Sequence, residues 1–93
     1  MRHSLGRVVA TPAVVAALPD AVLHGLLDRH AAGDWGEMSA DDKASNDFAS
    51  RHAEGRLFSS YATSDHGNVW IITEDLRGEN DGPITTVLFP AEY

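Results

Sequence analysis

The chain has no cysteine and a single lysine. The first absence excludes disulfide staples and thiolate metal sites, so the fold must hold by packing alone, and it accords with the cytoplasm. The second is set against fourteen acidic residues and a net charge of −7. A conventional nucleic-acid binder needs cations to displace counterions from phosphates, so the balance argues against direct binding to nucleic acid. Long apolar runs are also missing. No stretch approaches the ~20 residues of a membrane span. Met1-Arg2-His3-Ser4-Leu5-Gly6 has no apolar run of signal-peptide length. The expectation is a soluble, cytoplasmic protein with no membrane partner. No GxSxG, P-loop, GxGxxG or HExxH pattern occurs, so no catalytic residue, cofactor or metal is assigned.

What is present is a globular composition. The chain has 93 residues, of which 43% are apolar, enough for one domain over residues 1–93 and for no second core. Leu5 to Ala10 is a β-prone run that suits an edge strand. Thr11-Pro12 reads as an N-cap followed by proline at the first helical position. Val14, Val15 and Leu18 share a face of that short helix before Pro19 interrupts it. Val22, Leu23, Leu26, Leu27 and His30 form one stripe of a second helix from about Asp20 to Ala32, with Gly33 as terminator. Ser39 caps a third, polar helix from Ala40 to about Ala53. Its only bulky apolar residue is Phe48, with Ala44, Ala49 and His52 completing a thin stripe, so it is expected at the surface and among the first elements to loosen.

The last third reads as three consecutive strands: Arg56 to Thr63, Val69 to Glu74 and Ile84 to Phe89. Val69-Trp70-Ile71-Ile72-Thr73-Glu74 is apolar on both faces and should be central. The expected fold is α+β, in the order β-α-α-α-β-β-β, with two to three helices packed on one face of a small antiparallel sheet of three to four strands. The expected core is Val9, Val14, Leu18, Leu23, Leu26, Leu27, Phe48, Phe58, Trp70, Ile72, Val87 and Leu88.

Candidate chemistry is sparse. His24 and His30 share a helix but stand about 600° of rotation apart and cannot chelate one ion together. His3, His52 and His66 lie in no metal-ligand spacing. Asp75 to Gly82 lacks the alternating oxygen ligands and terminal glutamate of a calcium loop. Ser59 and Ser60 read as strand positions that tolerate water, with no base beside them.

The acids, by contrast, are grouped. Asp34, Glu37, Asp41, Asp42 and Asp47 surround one lysine, and Glu74, Asp75, Glu79 and Asp81 surround one arginine. Together these two segments carry the whole net charge of −7. Gathered on one face, they would steer the molecule onto a basic protein surface such as a nucleic-acid channel. Dispersed, they would be ordinary solvated segments. Asp34, Trp35, Glu37, Asp41, Asp42, Glu74, Asp75, Glu79 and Asp81 are the candidate partner-binding residues. Trp35, between Gly33-Asp34 and Gly36, either folds over the second helix to close the core or stands out as an anchor.

The element order is also that of small ribosome-dependent ribonuclease toxins of toxin–antitoxin pairs, with Arg56, Tyr61, His66, Arg77 and Tyr93 as the side chains such an enzyme would use. A net charge of −7 opposes approach to RNA. A third class is a module that forms a homodimer through an exposed strand edge.

Leu5-Gly6-Arg7-Val8-Val9-Ala10-Thr11-Pro12, His30 with Gly33-Asp34-Trp35-Gly36, Val69-Trp70-Ile71-Ile72-Thr73-Glu74 and Pro90-Ala91-Glu92-Tyr93 resemble a family of short plasmid-related proteins of plasmids and integrative elements. The resemblance covers nearly the whole chain. The Gly-Asp-Trp-Gly turn and the Trp-Ile-Ile-Thr-Glu strand are its most specific parts. It departs after Asp75-Leu76-Arg77, where Gly78-Glu79-Asn80-Asp81-Gly82-Pro83 extends the usual short turn. The resemblance supplies no catalytic residue to carry over. It implies mobile-element cargo, a class that includes anti-CRISPR and anti-restriction inhibitors of host defence.

Overall fold

The structure is a computed structural model that describes residues 4–93. Of the Met1–Gly6 stretch read as free of a signal peptide, residues 1–3, His3 among them, lie outside the described residues. The order is β1 (Arg7–Ala10), α1 (Pro12–Ala17), α2 (Asp20–Ala31), α3 (Ala40–His52), β2 (Leu57–Thr63), β3 (Gly67–Glu74) and β4 (Ile84–Leu88), followed by a 3-10 turn at Pro90–Glu92. This is the expected α+β order. The expected caps are also in place: the Thr11 hydroxyl accepts from the Val14 amide, and Ser39 caps α3 by accepting from Asp42. α3 ends one residue earlier than expected because Ala53 adopts a left-handed conformation, φ 52°.

The four strands form one sheet in the order β1-β4-β3-β2. β2, β3 and β4 make the expected antiparallel meander. β1 differs: it lies parallel to β4, with Arg7 opposite Ile84 and Ala10 opposite Val87, so the sheet is mixed. Three intervening helices return the chain to the far side of the sheet before β2, which makes a parallel pairing available to the first strand.

Register sorts the side chains. Leu57, Ser59, Tyr61, Val69, Ile71, Thr73, Thr85 and Val87 share the face covered by α1 and α2. Val14, Leu18 and Leu26 meet Tyr61, Val69, Ile71 and Val87 there in the main core. A smaller cluster, Trp35, Ala49 and Leu57 with Met38 and Leu76, seats α3 beside β2. The other face carries Phe58, Trp70, Ile72 and Leu88. The chain end folds toward it: Phe58, Trp70 and Tyr93 form a chain of edge-to-face rings, with centroids 4.9 and 5.7 Å apart.

Four expected core residues depart from that reading: Phe58 and Trp70 are half-buried on the face without helices, and two more are exposed. Val9 is 42% exposed because it sits on the edge strand, on the face without helices. Phe48 is 50% exposed and packs instead on the His52 ring, 4.3 Å away on the outer side of α3. What α3 buries is Asn46 and Ala49.

The two sheet edges are treated differently. On the β2 side, Ser60 donates its amide to the Trp35 carbonyl and accepts from the Glu37 amide, forming a one-residue parallel bridge to Gly36. The Asn46 side chain donates to the Phe58 carbonyl at 2.8 Å and accepts from its amide at 3.0 Å. Backbone and side chain thus occupy the groups an incoming strand would need. The β1 edge has no such cover among the described residues.

Candidate functional site

The Gly33-Asp34-Trp35-Gly36 turn is built around β2. Gly33 leaves α2 with φ 83°. Asp34 then takes a hydrogen bond from Arg29 Nε at 2.7 Å and one from the Gly36 amide. The Arg29 bond holds the Asp34 carboxyl below its ordinary value, against the opposing effect of desolvation. The Tyr61 hydroxyl donates to the Asp34 carbonyl at 2.6 Å. Gly36 has φ +71°, and a Cβ there would collide with the Ser60 carbonyl and the Tyr61 ring, so only glycine fits. Trp35 is 4% exposed, stands edge-on to the His30 ring and donates its indole N–H to Asp47 at 3.0 Å. Of its two sequence readings the core one describes its position; it offers no surface to a partner.

The remaining acids fall at two ends of α3. Glu37, Asp41 and Asp42 surround its N-terminus, where carboxylates suit the helix dipole. The 74–81 segment lies at its C-terminus: Ala53, Glu54 and Gly55 share a cleft with Asp75, Leu76, Arg77 and Glu79. Arg77 donates to Glu54 at 2.7 Å and to the Ala53 carbonyl at 3.1 Å, pinning the loop to the helix end. A 13-residue helix spans roughly 20 Å, so the two segments form two acidic ends rather than one contiguous cluster.

They also differ in how much charge is free. Asp75 works inside its loop. Burial raises its carboxyl, and the amides of Asn80, Gly82 and Glu79 together outweigh that and hold it below the ordinary value. The carboxylates of Glu37, Asp41, Asp42, Glu74, Glu79 and Asp81 make no hydrogen bond or ion pair with another described residue.

The side chains of the ribonuclease reading do not converge. Tyr61 is buried, Arg77 is paired with Glu54, and His66 lies at the β2–β3 hairpin, near the Phe89 ring. Only Arg56 and Tyr93 meet, by a hydrogen bond of 2.9 Å to the phenol. No group of three or more His, Asp or Glu side chains among the described residues is placed to hold a metal ion, and no described helix is long and apolar enough to cross a membrane.

One polar constellation was not expected. His30 is fully buried, with Nδ1 2.6 Å from Ser59 Oγ and Nε2 2.8 Å from Thr73 Oγ1. Thr73 Oγ1 is 2.8 Å from Thr85 Oγ1, and Thr85 donates to the Leu5 carbonyl at 2.7 Å. The carbonyl at the end can only accept, which orders the whole chain. Thr85 spends its proton on Leu5, so it accepts from Thr73. Thr73 therefore accepts from His30 Nε2–H, and in the neutral ring Nδ1 accepts from the Ser59 hydroxyl. Ser59 thus has a base beside it after all, and neither serine is a wet strand position: Ser59 and Ser60 are both buried. A serine–histidine pair sealed from solvent has no route for a substrate. Its chemistry here is to satisfy polar groups that cross α2 and three strands.

Comparison with known proteins adds no relative: no family model matches the chain, and no curated sequence and no solved structure is significantly similar to it.

Proposed function

We propose that this chain is a non-enzymatic binding protein whose exposed carboxylates engage a basic protein surface. The observation that carries this reading is the pair of acidic ends on α3: Glu37, Asp41 and Asp42 at one, and Glu74, Glu79 and Asp81 at the other, with no internal partner for their charge among the described residues. Carboxylates that the fold does not use remain available to a cationic surface, and their long-range field raises the association rate in a salt-dependent way. The separation of the ends calls for a partner with cations spread over a comparable span. A protein channel lined with lysine and arginine for phosphates has that character. In the context implied by the resemblance to plasmid-related cargo, the partner is a host nucleic-acid-handling defence complex, and the activity is inhibition of the anti-CRISPR or anti-restriction kind.

The test is capture from host lysate at low and high salt by three proteins: wild type, Glu37→Lys/Asp41→Lys/Asp42→Lys, and Glu74→Lys/Glu79→Lys/Asp81→Lys. A genuine partner is held by wild type at low salt, released at high salt and lost from at least one reversed form. A partner retained equally by all three overturns the reading. Expression of wild type alone separates the ribonuclease class, because a toxin arrests growth and an acidic binder does not.

A further inference from the structure

We infer that β1 is a pairing edge for a second copy of this chain, joined antiparallel about a twofold axis at Val9. This inference is independent of the acidic-surface reading. In the parallel ladder, Arg7 donates to the Pro83 carbonyl and Thr11 to the Val87 carbonyl, each at 3.0 Å. Alternation then turns the N–H and C=O groups of Val8 and Ala10 away from β4, where no described residue pairs with them. Val8 and Val9 are each 42% exposed there. The opposite edge of the sheet is occupied by Gly36 and Asn46, so among the described residues one edge is uncovered and the other is blocked.

The strand's own limits select the register. Gly6, with φ 61°, leaves the extended conformation at one end, and Pro12 has no N–H at the other. Only Val8 and Ala10 remain as outward-facing residues. Opposing Val8 of one copy to Ala10 of the other uses both residues of both copies and makes four backbone hydrogen bonds. Val9 meets its own counterpart on the face without helices, and the two four-stranded sheets become one of eight strands.

Charge favours a second copy over a foreign strand. In this register Arg7 stands opposite Thr11 of the other molecule. The Thr11 hydroxyl donates to Glu92 at 2.8 Å, which holds that carboxylate beside the strand. Arg7 has no ion pair with a described residue. Each Arg7 therefore meets the Glu92 of the other copy, twice per dimer. A foreign strand would satisfy the backbone but not this exchange.

The experiment is sedimentation velocity from micromolar to millimolar concentration, with circular dichroism to confirm folding. Wild type is expected to form a dimer. Val8→Pro removes only the outward N–H, on an edge where proline is tolerated, and should weaken association roughly tenfold to hundredfold. Arg7→Glu and Glu92→Arg should each weaken it alone. Mixing these two variants should restore it, since in the mixed pair both contacts between positions 7 and 92 again join opposite charges. A wild type that stays monomeric throughout overturns the inference, as do Val8→Pro and Arg7→Glu dimers as tight as wild type. Should Val8→Pro fail to fold, the charge exchange decides alone: no recovery on mixing overturns the proposal.

Discussion

The buried chain from Ser59 through His30, Thr73 and Thr85 to Leu5 makes a quantitative prediction about stability. At 0.05–0.15 kcal/mol per residue, a chain of this length is stable by roughly 5–14 kcal/mol. Each buried polar group left without a partner costs about 1–3 kcal/mol. Ser59→Ala strands His30 Nδ1 in a fully buried site and should cost about 2 kcal/mol, lowering the melting temperature by about 8–16 °C. Thr73→Val is close to isosteric but strands His30 Nε2–H and removes the donor to Thr85. It should cost more, roughly 2–4 kcal/mol. Replacing the whole set with apolar residues (His30→Leu, Ser59→Ala, Thr73→Val, Thr85→Val) removes the donors and acceptors of the chain together, leaving the Leu5 carbonyl without its Thr85 donor, and should cost less than Thr73→Val alone. Urea unfolding followed by circular dichroism, with constant m-values, measures all three. Nitrogen NMR of His30 checks the Nε2–H tautomer. A fourfold variant whose loss equals the sum of the single losses would refute the connected-network account. So would a His30 found with its proton on Nδ1.

Gly36→Ala should destabilise by about 2 kcal/mol or more, since left-handed backbone alone costs an alanine roughly 1–2 kcal/mol and the Tyr61 ring would lie 2.6 Å from the new carbon; thermal melting checks this. Asn46→Ala removes both bonds to Phe58 and should cost about 1–3 kcal/mol, with amide exchange rising in α3 and at the outer edge of β2 before it rises in β3 and β4. Burial pushes the Tyr61 phenol up to about 12 from an ordinary value of 10.0. Because the folded value is the raised one, the contribution is intact below pH 10 and is lost progressively between pH 10 and about 12 as the unfolded phenol ionises first. Tyr61→Phe should flatten that part of the stability–pH curve, and an unchanged slope would contradict the burial.

The helices and strands were legible because their signals are local. Thr11-Pro12, Ser39 and Gly33 mark helix ends by their own chemistry, and the alternation from Leu57 to Thr63 and from Val69 to Glu74 is a property of adjacent residues. The direction of β1 was not legible: whether a short edge strand runs parallel or antiparallel depends on where three helices deliver the chain. The outward position of Phe48 is not legible either, because apolar content alone does not say which side of a polar helix faces inward. Asn46 turns α3 toward the sheet edge by hydrogen bonds, leaving Phe48 outside. The His30 network had a signal that hydropathy passes over. Ser59, Thr73 and Thr85 share the strand parity of Tyr61, Ile71 and Val87, and His30 shares the stripe of Leu23, Leu26 and Leu27. Small hydroxyls at inward parity opposite a histidine on an apolar stripe are the trace such a network leaves. The spatial relation of the two acidic segments depended on α3 standing between them, a distance that composition does not contain.

The parallel pairing of β1 with β4 also sets an order of events in folding. β2, β3 and β4 are consecutive in the chain and can form a meander by themselves. β1 cannot join until β4 exists, 77 positions later at the Arg7–Ile84 pair. Closing a loop of that length costs roughly 4 kcal/mol of chain entropy beyond a constant. Thr85 and Glu92 then tie the segment around β1 down, through Leu5 and Thr11. During synthesis, therefore, the valines of β1 wait unpaired while every other strand is made, and the last step of assembly is the docking of the first strand.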